Sequence, residues 1–148
     1  MASPDFWRSV GKEELFIPVG ADPDRCNSRL YSSRPVVKVP RSNSAGASLV
    51  RWDALELEKV TEMIARKAIT GAEETLAQTY FKKGALVPTH THPGEQMIYV
   101  LQGALRAVVD GEEFTVREGE VLVVAPGVPH QAEALDDTFV LDVTAEVP

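Results

Sequence analysis

From about Leu49 to Thr144 the chain is a succession of short stretches in which apolar and polar residues alternate, each closed by Gly, Pro or Asp. A period of two is the signature of a strand with one face buried. Thr61 to Thr70 and Thr75 to Lys83 alternate and are punctuated by Gly71 and Gly84. Gln96 to Leu101, Ala104 to Val109, Glu113 to Arg117, Val121 to Val124, Gln131 to Leu135 and Phe139 to Thr144 complete the series. Asp110-Gly111, set between Val109 and Glu112, predicts a two-residue hairpin, because a type I′ turn needs positive φ that Asp and Gly tolerate. Asp53 to Lys59 reads as a short helix or turn, and no long amphipathic helix is evident. Many short strands at this spacing predict an all-β barrel or jelly roll.

Composition changes near residue 48. Upstream lie Pro4, Pro18, Pro23, Pro35 and Pro40 and the small-polar run from Ser42 to Ser48, which punctuate structure rather than propagate it. Phe6, Trp7, Leu15, Phe16 and Ile17 nevertheless supply apolar anchors, and Pro35 to Val39 reads as a short edge strand. Residues 1–48 are therefore expected to be an arm that packs across the barrel or onto a second subunit, the alternative being a loosely ordered tail. Residues 49–148 are expected to be the barrel.

The 148 residues suffice for one domain with its own core. Fifteen Lys and Arg against 22 Asp and Glu give a net charge of −7, so the basic footprint of a nucleic-acid binder is missing. Cys26 is the sole cysteine, which rules out an intramolecular disulfide and favours a reducing compartment. No leading basic-then-apolar stretch resembles a signal peptide, and no apolar run approaches the ~20 residues that span a bilayer. The expected setting is cytoplasmic, with neither membrane nor nucleic acid as partner.

All three histidines fall in one constellation: His90-Thr91-His92-Pro93-Gly94-Glu95-Gln96, and later Pro126-Gly127-Val128-Pro129-His130. His90 and His92 are two apart, so in extended backbone their imidazoles leave the chain on the same side. Gln96 shares that parity and Glu95 does not, which selects the neutral amide over the carboxylate as a companion ligand, provided that Pro93-Gly94 does not break the count. His130 follows a turn that leads back toward the first segment in an antiparallel barrel. Three neutral imidazoles and an amide oxygen suit a first-row divalent ion, with Zn, Mn, Fe, Ni and Co not distinguished. Four protein ligands leave positions open on a five- or six-coordinate ion, as Lewis-acid chemistry requires. Gln96 in place of a carboxylate keeps such a site one charge more positive.

Asp142 lies in the apolar strand Phe139-Val140-Leu141-Asp142-Val143. A carboxylate there either faces solvent or is held in a cavity, where a raised pKa would poise it as general acid or base. Gln78 and Tyr80 share one face of their strand and are candidates to line the same pocket. Arg66 either recognises an anion or sits in an exposed salt bridge. Met97 and Tyr99 read as core or interface.

Several of these residues carry a family resemblance. Gly84, His90, His92, Gln96 and Gly103 fall at the spacing of the first cupin motif, with Gln96 where many members have Glu. Gly119, Pro126, Gly127, Val128, Pro129 and His130 resemble the second, with Ala125 at a usual proline and Ala134 where Asn is often found. The likeness covers residues 49 to 144, about two thirds of the chain. It implies a double-stranded β-helix, or jelly-roll, barrel, a metal on His90, His92, Gln96 and His130, and a homodimer. Trp52-Asp53-Ala54-Leu55, Arg66-Lys67, the His90 to Gln96 run, Tyr99-Val100-Leu101, Val128-Pro129-His130 and Leu141-Asp142 further resemble the small cupins of pectin and alginate breakdown, which linearise unsaturated uronates. That group carries an Asp-x-Phe-x-x-x-Arg segment on its last strand. Asp142 matches its Asp, whereas Thr144 stands at the Phe and Pro148 at the Arg.

The expected function is metal-assisted enolisation, isomerisation or ring opening of a small, oxygen-rich, sugar-acid-like substrate, with Asp142 moving the proton. An Fe(II)-dependent dioxygenase and a non-catalytic ligand-binding cupin are the alternatives, because a fold does not fix a function.

Overall fold

The computed structural model describes residues 46–146 and the backbone of Val37–Lys38. Most of residues 1–48, including the anchors of the expected arm, lie outside the described residues. The strands are β1 (Val37–Lys38), β2 (Glu58–Lys59), β3 (Ile64–Thr70), β4 (Glu74–Phe81), β5 (Leu86–His90) and β6 (Gln96–Gln102). They continue with β7 (Ala104–Val109), β8 (Glu112–Arg117), β9 (Val121–Val124), β10 (His130–Ala134) and β11 (Thr138–Ala145). A single 3-10 turn, Trp52–Ala54, is the one helical element among the described residues. No helix among them is long and apolar enough to cross a membrane.

The strands form two facing sheets. A seven-stranded sheet runs β1-β3-β4-β11-β6-β9, with β2 also on β3, and a four-stranded sheet runs β5-β10-β7-β8. Every pairing is antiparallel except that of β1 with β3, where Val37 and Lys38 lie opposite Ile69 and Thr70. β2 covers the other half of the same edge, at Ala65 and Arg66. This is the all-β jelly roll expected from the alternation.

Local sequence accounts for the turns. Asp110 (φ 49°) and Gly111 (φ 84°) adopt the positive φ of a type I′ turn and join β7 to β8, with Val109 opposite Glu112. The stretch read as one strand from Thr61 begins at Ile64 instead. Thr61 to Met63 make the tight turn of the β2–β3 hairpin, in which the amide of Val60 donates to the Ile64 carbonyl at 2.9 Å. Residues Asp53 to Lys59 divide between the 3-10 turn and β2. β5 escapes the alternation rule because Pro88 interrupts it, yet β5 is an edge strand, where a missing N–H costs no ladder hydrogen bond.

The registers divide the interior into two ends. Ile64, Phe81, Val100 and Val140 are all within the apolar cluster, and Ile64 lies opposite Phe81. On the other sheet Leu105, Val116 and Ala134 close the same cluster. Two residues farther along each strand on the same face, the side chains turn polar. Arg66 follows Ile64, Thr79 precedes Phe81, Asp142 follows Val140, and Gln96 precedes Ile98. One end of the barrel is thus packed with aliphatic side chains, and the other is lined by groups able to do chemistry.

Candidate metal centre

His90 closes β5 and His130 opens β10, and the two lie directly opposite one another in the antiparallel pair. Opposed residues project from the same face, so the register itself brings their rings to 4.3 Å between centroids. His92, in the loop after β5, completes the group at 4.8 Å from His130 and 5.9 Å from His90. The ligand atoms of the three lie within 4.8 Å of one another, a cluster able to hold a metal ion.

Each ring is held by a backbone carbonyl two residues away. Nδ1 of His90, His92 and His130 contacts the carbonyl oxygens of Pro88 (2.9 Å), Gly94 (2.7 Å) and Val128 (2.9 Å). A carbonyl only accepts, so Nδ1 carries the proton and Nε2 keeps its lone pair. Backbone hydrogen bonds of this kind fix the ring orientation of metal-binding histidines. The two segments are also tied together, since the amide of Gly127 donates to the His92 carbonyl at 2.9 Å.

Two observations bear on whether an ion fits. His130 Nε2 is buried without a hydrogen-bond partner among the described residues, although burying a polar atom unpaired is costly. In addition, His92 Nε2 faces Gln96 Oε1 at 3.2 Å. With the proton on Nδ1 this places two acceptors against each other, a repulsive contact that a cation between them would relieve. Burial holds the imidazoles of His90 and His130 below the ordinary histidine range, against the opposing pull of their carbonyl hydrogen bonds. The neutral form that a metal needs is therefore favoured.

Gln96 faces the interior because it shares the parity of Ile98 and Val100, both buried in the core. Glu95 is exposed. The strand that decides between them is β6, not the path from His92, which bends at Pro93-Gly94.

Asp142 also faces inward, opposite Ile98 of β6 and Ala77 of β4. Thr79 Oγ1 donates to its Oδ2 at 2.9 Å. Burial pushes the carboxyl up to about 6, opposed by the Thr79 hydrogen bond and by the charge of Arg66. Arg66 is inside as well: its Nε donates to Glu58 Oε2 at 3.0 Å, with side-chain exposures of only 14% and 25%. It does not form the exposed salt bridge that was one of its two readings.

Gln78 and Tyr80 require correction as pocket residues. They share a face, but the inner parity of β4 belongs to Ala77, Thr79 and Phe81, so Gln78 and Tyr80 lie on the opposite side of the sheet. There Tyr80 stacks on Phe139 at 4.7 Å and donates its hydroxyl to Gln78 Oε1 at 3.2 Å, and burial drives its pKa up to about 12. Two interior residues, Glu58 and Thr79, had no counterpart in the sequence reading. Thr79 was accessible in principle from its alternation with Phe81, whereas Glu58 required knowing that β2 and β3 form a hairpin.

Residues 78–144 match the cupin domain family. Over that stretch the chain resembles a cupin domain. It is similar to the pectin degradation protein KdgF of Dickeya dadantii, with 28% identity over 91 residues, 60% of this chain and 83% of that protein. It is also similar to the protein MJ1618 of Methanocaldococcus jannaschii, with 27% identity over 75 residues; that match spans 60% of the relative's length and 50% of this chain. Among solved structures, KdgF from Halomonas sp. superposes with a TM-score of 0.63 at 26% identity, covering 69% of this chain and 96% of that one. The chain is thus similar to two KdgF proteins, one of them named for pectin degradation.

Proposed function

We propose that this cupin is a metal-dependent enzyme that isomerises, enolises or opens a small sugar-acid-like substrate. His90, His92 and His130 would hold a divalent transition ion through Nε2, with the Gln96 amide oxygen as a fourth donor; imidazole favours Zn, Fe, Ni or Co over Ca or Mg, and the oxygen donor keeps Mn in the set. When bound, the ion supplies Lewis-acid polarisation of a substrate oxygen. Asp142 moves the proton. A carboxyl with a pKa of about 6 takes a proton from a substrate hydroxyl, or from the carbon beside a carbonyl, and returns it at another atom, both near neutral pH. Thr79 fixes the Oδ2 of that carboxyl, leaving Oδ1 for the transfer.

The observation that carries the reading is the convergence of three orientation-locked Nε2 lone pairs and Asp142 on one end of the barrel. The likeness to two KdgF proteins supports an unsaturated monouronate as the first substrate to try. Metal analysis of protein purified without added metal or chelator should find about one ion per chain, and His92→Ala should lose it; full occupancy in that variant overturns the assignment. Asp142→Asn should retain metal and lose turnover. Iron-dependent oxygen uptake would move the protein among the dioxygenases, and tight binding without product would make it a binding module.

A homodimer is part of the same reading. Met97, Tyr99, Val121 and Val123 are exposed on one face of β6 and β9, where Met97 pairs with Val123 and Tyr99 with Val121. A cytoplasmic location accords with the lone Cys26.

A further inference from the structure

Two buried side-chain atoms lack a hydrogen-bond partner among the described residues: His130 Nε2 and Glu58 Oε1. The first belongs to the histidine cluster. The second lies on the facing sheet, in β2, and the cluster does not account for it.

Glu58 stands opposite Arg66 in the β2–β3 hairpin, Arg66 opposite Thr79, and Thr79 donates to Asp142. These four residues make one polar row across β2, β3, β4 and β11. Neighbouring strands are ~4.8 Å apart, so the row is about 14 Å long at the backbone, and the Arg66 side chain bridges much of it. Its guanidinium plane is set by the Nε contact to Glu58 Oε2. Its charge acts on Asp142, so the two ends of the row are electrostatically in touch.

Stability gives no reason for this arrangement. A half-buried ion pair seldom outdoes aliphatic side chains of similar size, and a carboxylate oxygen left without a donor makes it worse. At the other end of the same strands, Ile64 and Phe81 fill the space with no polar atoms. A binding site has a different requirement. A buried acceptor without a donor, beside a cation of fixed orientation, is what a ligand bearing both a hydroxyl and an anionic group would satisfy.

We propose that Glu58 and Arg66 are specificity-determining residues for a hydroxylated carboxylic acid, Arg66 receiving the ligand carboxylate and Glu58 Oε1 accepting from a ligand hydroxyl. The proposal rests on the reading that the reaction takes place at this end of the barrel, and it assigns the carboxylate recognition to β3 and not to the C-terminal segment.

The test is calorimetric titration of the metal-loaded full chain with D-galacturonate and with D-galactose, which share ring hydroxyls and differ in the carboxylate. The wild type should prefer galacturonate by roughly 10- to 100-fold, the range of a charge-assisted hydrogen-bonded pair. Arg66→Gln should bring the two affinities within about 3-fold with metal content unchanged. Should that variant unfold because Glu58 is left uncompensated, the double variant Glu58→Gln/Arg66→Gln removes both charges and should show the same loss of preference. Glu58→Gln alone should keep the preference and weaken both sugars by roughly 5- to 20-fold. A wild type that does not discriminate, or a folded double variant that still does, overturns the proposal. An Arg66-dependent preference in a protein that holds no metal would sink the metal reading and leave this one standing. Asp142-dependent turnover with a preference indifferent to Arg66 would do the reverse.

Discussion

Replacing Asp142 by Asn should stabilise the metal-free protein at neutral pH and do almost nothing in acid. The carboxyl has a pKa raised from 3.8 to about 6 in the folded chain. A group whose folded pKa lies above its unfolded value binds its proton more tightly when folded. Its ionisation therefore opposes folding, with no effect below about pH 4, a growing penalty up to about pH 6 and the full penalty above. At 1.36 kcal/mol per pH unit, that full penalty is about 3 kcal/mol. Asn keeps the shape and an amide oxygen to accept from Thr79 Oγ1, so the substitution removes the charge and little else. For a domain of this size 3 kcal/mol corresponds to roughly 6–12 °C in Tm. Thermal melts of wild type and Asp142→Asn in chelator, at about pH 4 and about pH 8, provide the assay, with the gain confined to the higher pH. A gain of equal size at both values, or none at pH 8, refutes the claim that a buried ionised carboxylate is the cause. Metal loading should shrink the difference, because a nearby cation favours the ionised form.

Thr79→Val removes the hydroxyl that donates to Asp142 and should raise the carboxyl's pKa further, shifting the acid limb of any pH–rate profile upward while costing about 1–2 kcal/mol in stability. Gly94→Ala should abolish metal binding and destabilise the fold by about 2–3 kcal/mol, because the new Cβ, in the loop that carries His92, would collide with the backbone carbonyl of Ala145 in β11; isothermal metal titration and a denaturant melt check both. Divalent metal at a hundredfold excess over its dissociation constant should stabilise the wild type by about 2.7 kcal/mol, and His130→Ala should lose that increment.

Much of this was legible in the residues. Alternation found most barrel strands because each has one face in the core, and Asp110-Gly111 named its own turn because few residue pairs tolerate two successive positive φ angles. The histidines were readable because their spacing is a local property of the chain. What escaped were facts that depend on two strands at once. Pro88 hid β5, since only the sheet order shows that it is an edge. Gln78 and Tyr80 were correctly read as sharing a face, but which face was inside depended on Thr79 and Phe81 meeting Val140 and Ile64 across the sheet. Glu58 was hidden in a segment read as a helix or turn, and its partner Arg66 became meaningful only once the hairpin set them opposite each other.

The division of the barrel between an aliphatic end and a polar end bears on how such a protein can change over time. Leu105, Val100 and Val140, all nearly or wholly buried, supply cohesion without touching any reacting group. Gln96 and Asp142 sit on the strands of Val100 and Val140, a few residues along, and can be exchanged without opening a hole in that packing. Mutational tolerance and chemical novelty are thereby uncoupled. A lineage, or a designer, can try new substrates at one end of each strand while the other end keeps the chain folded.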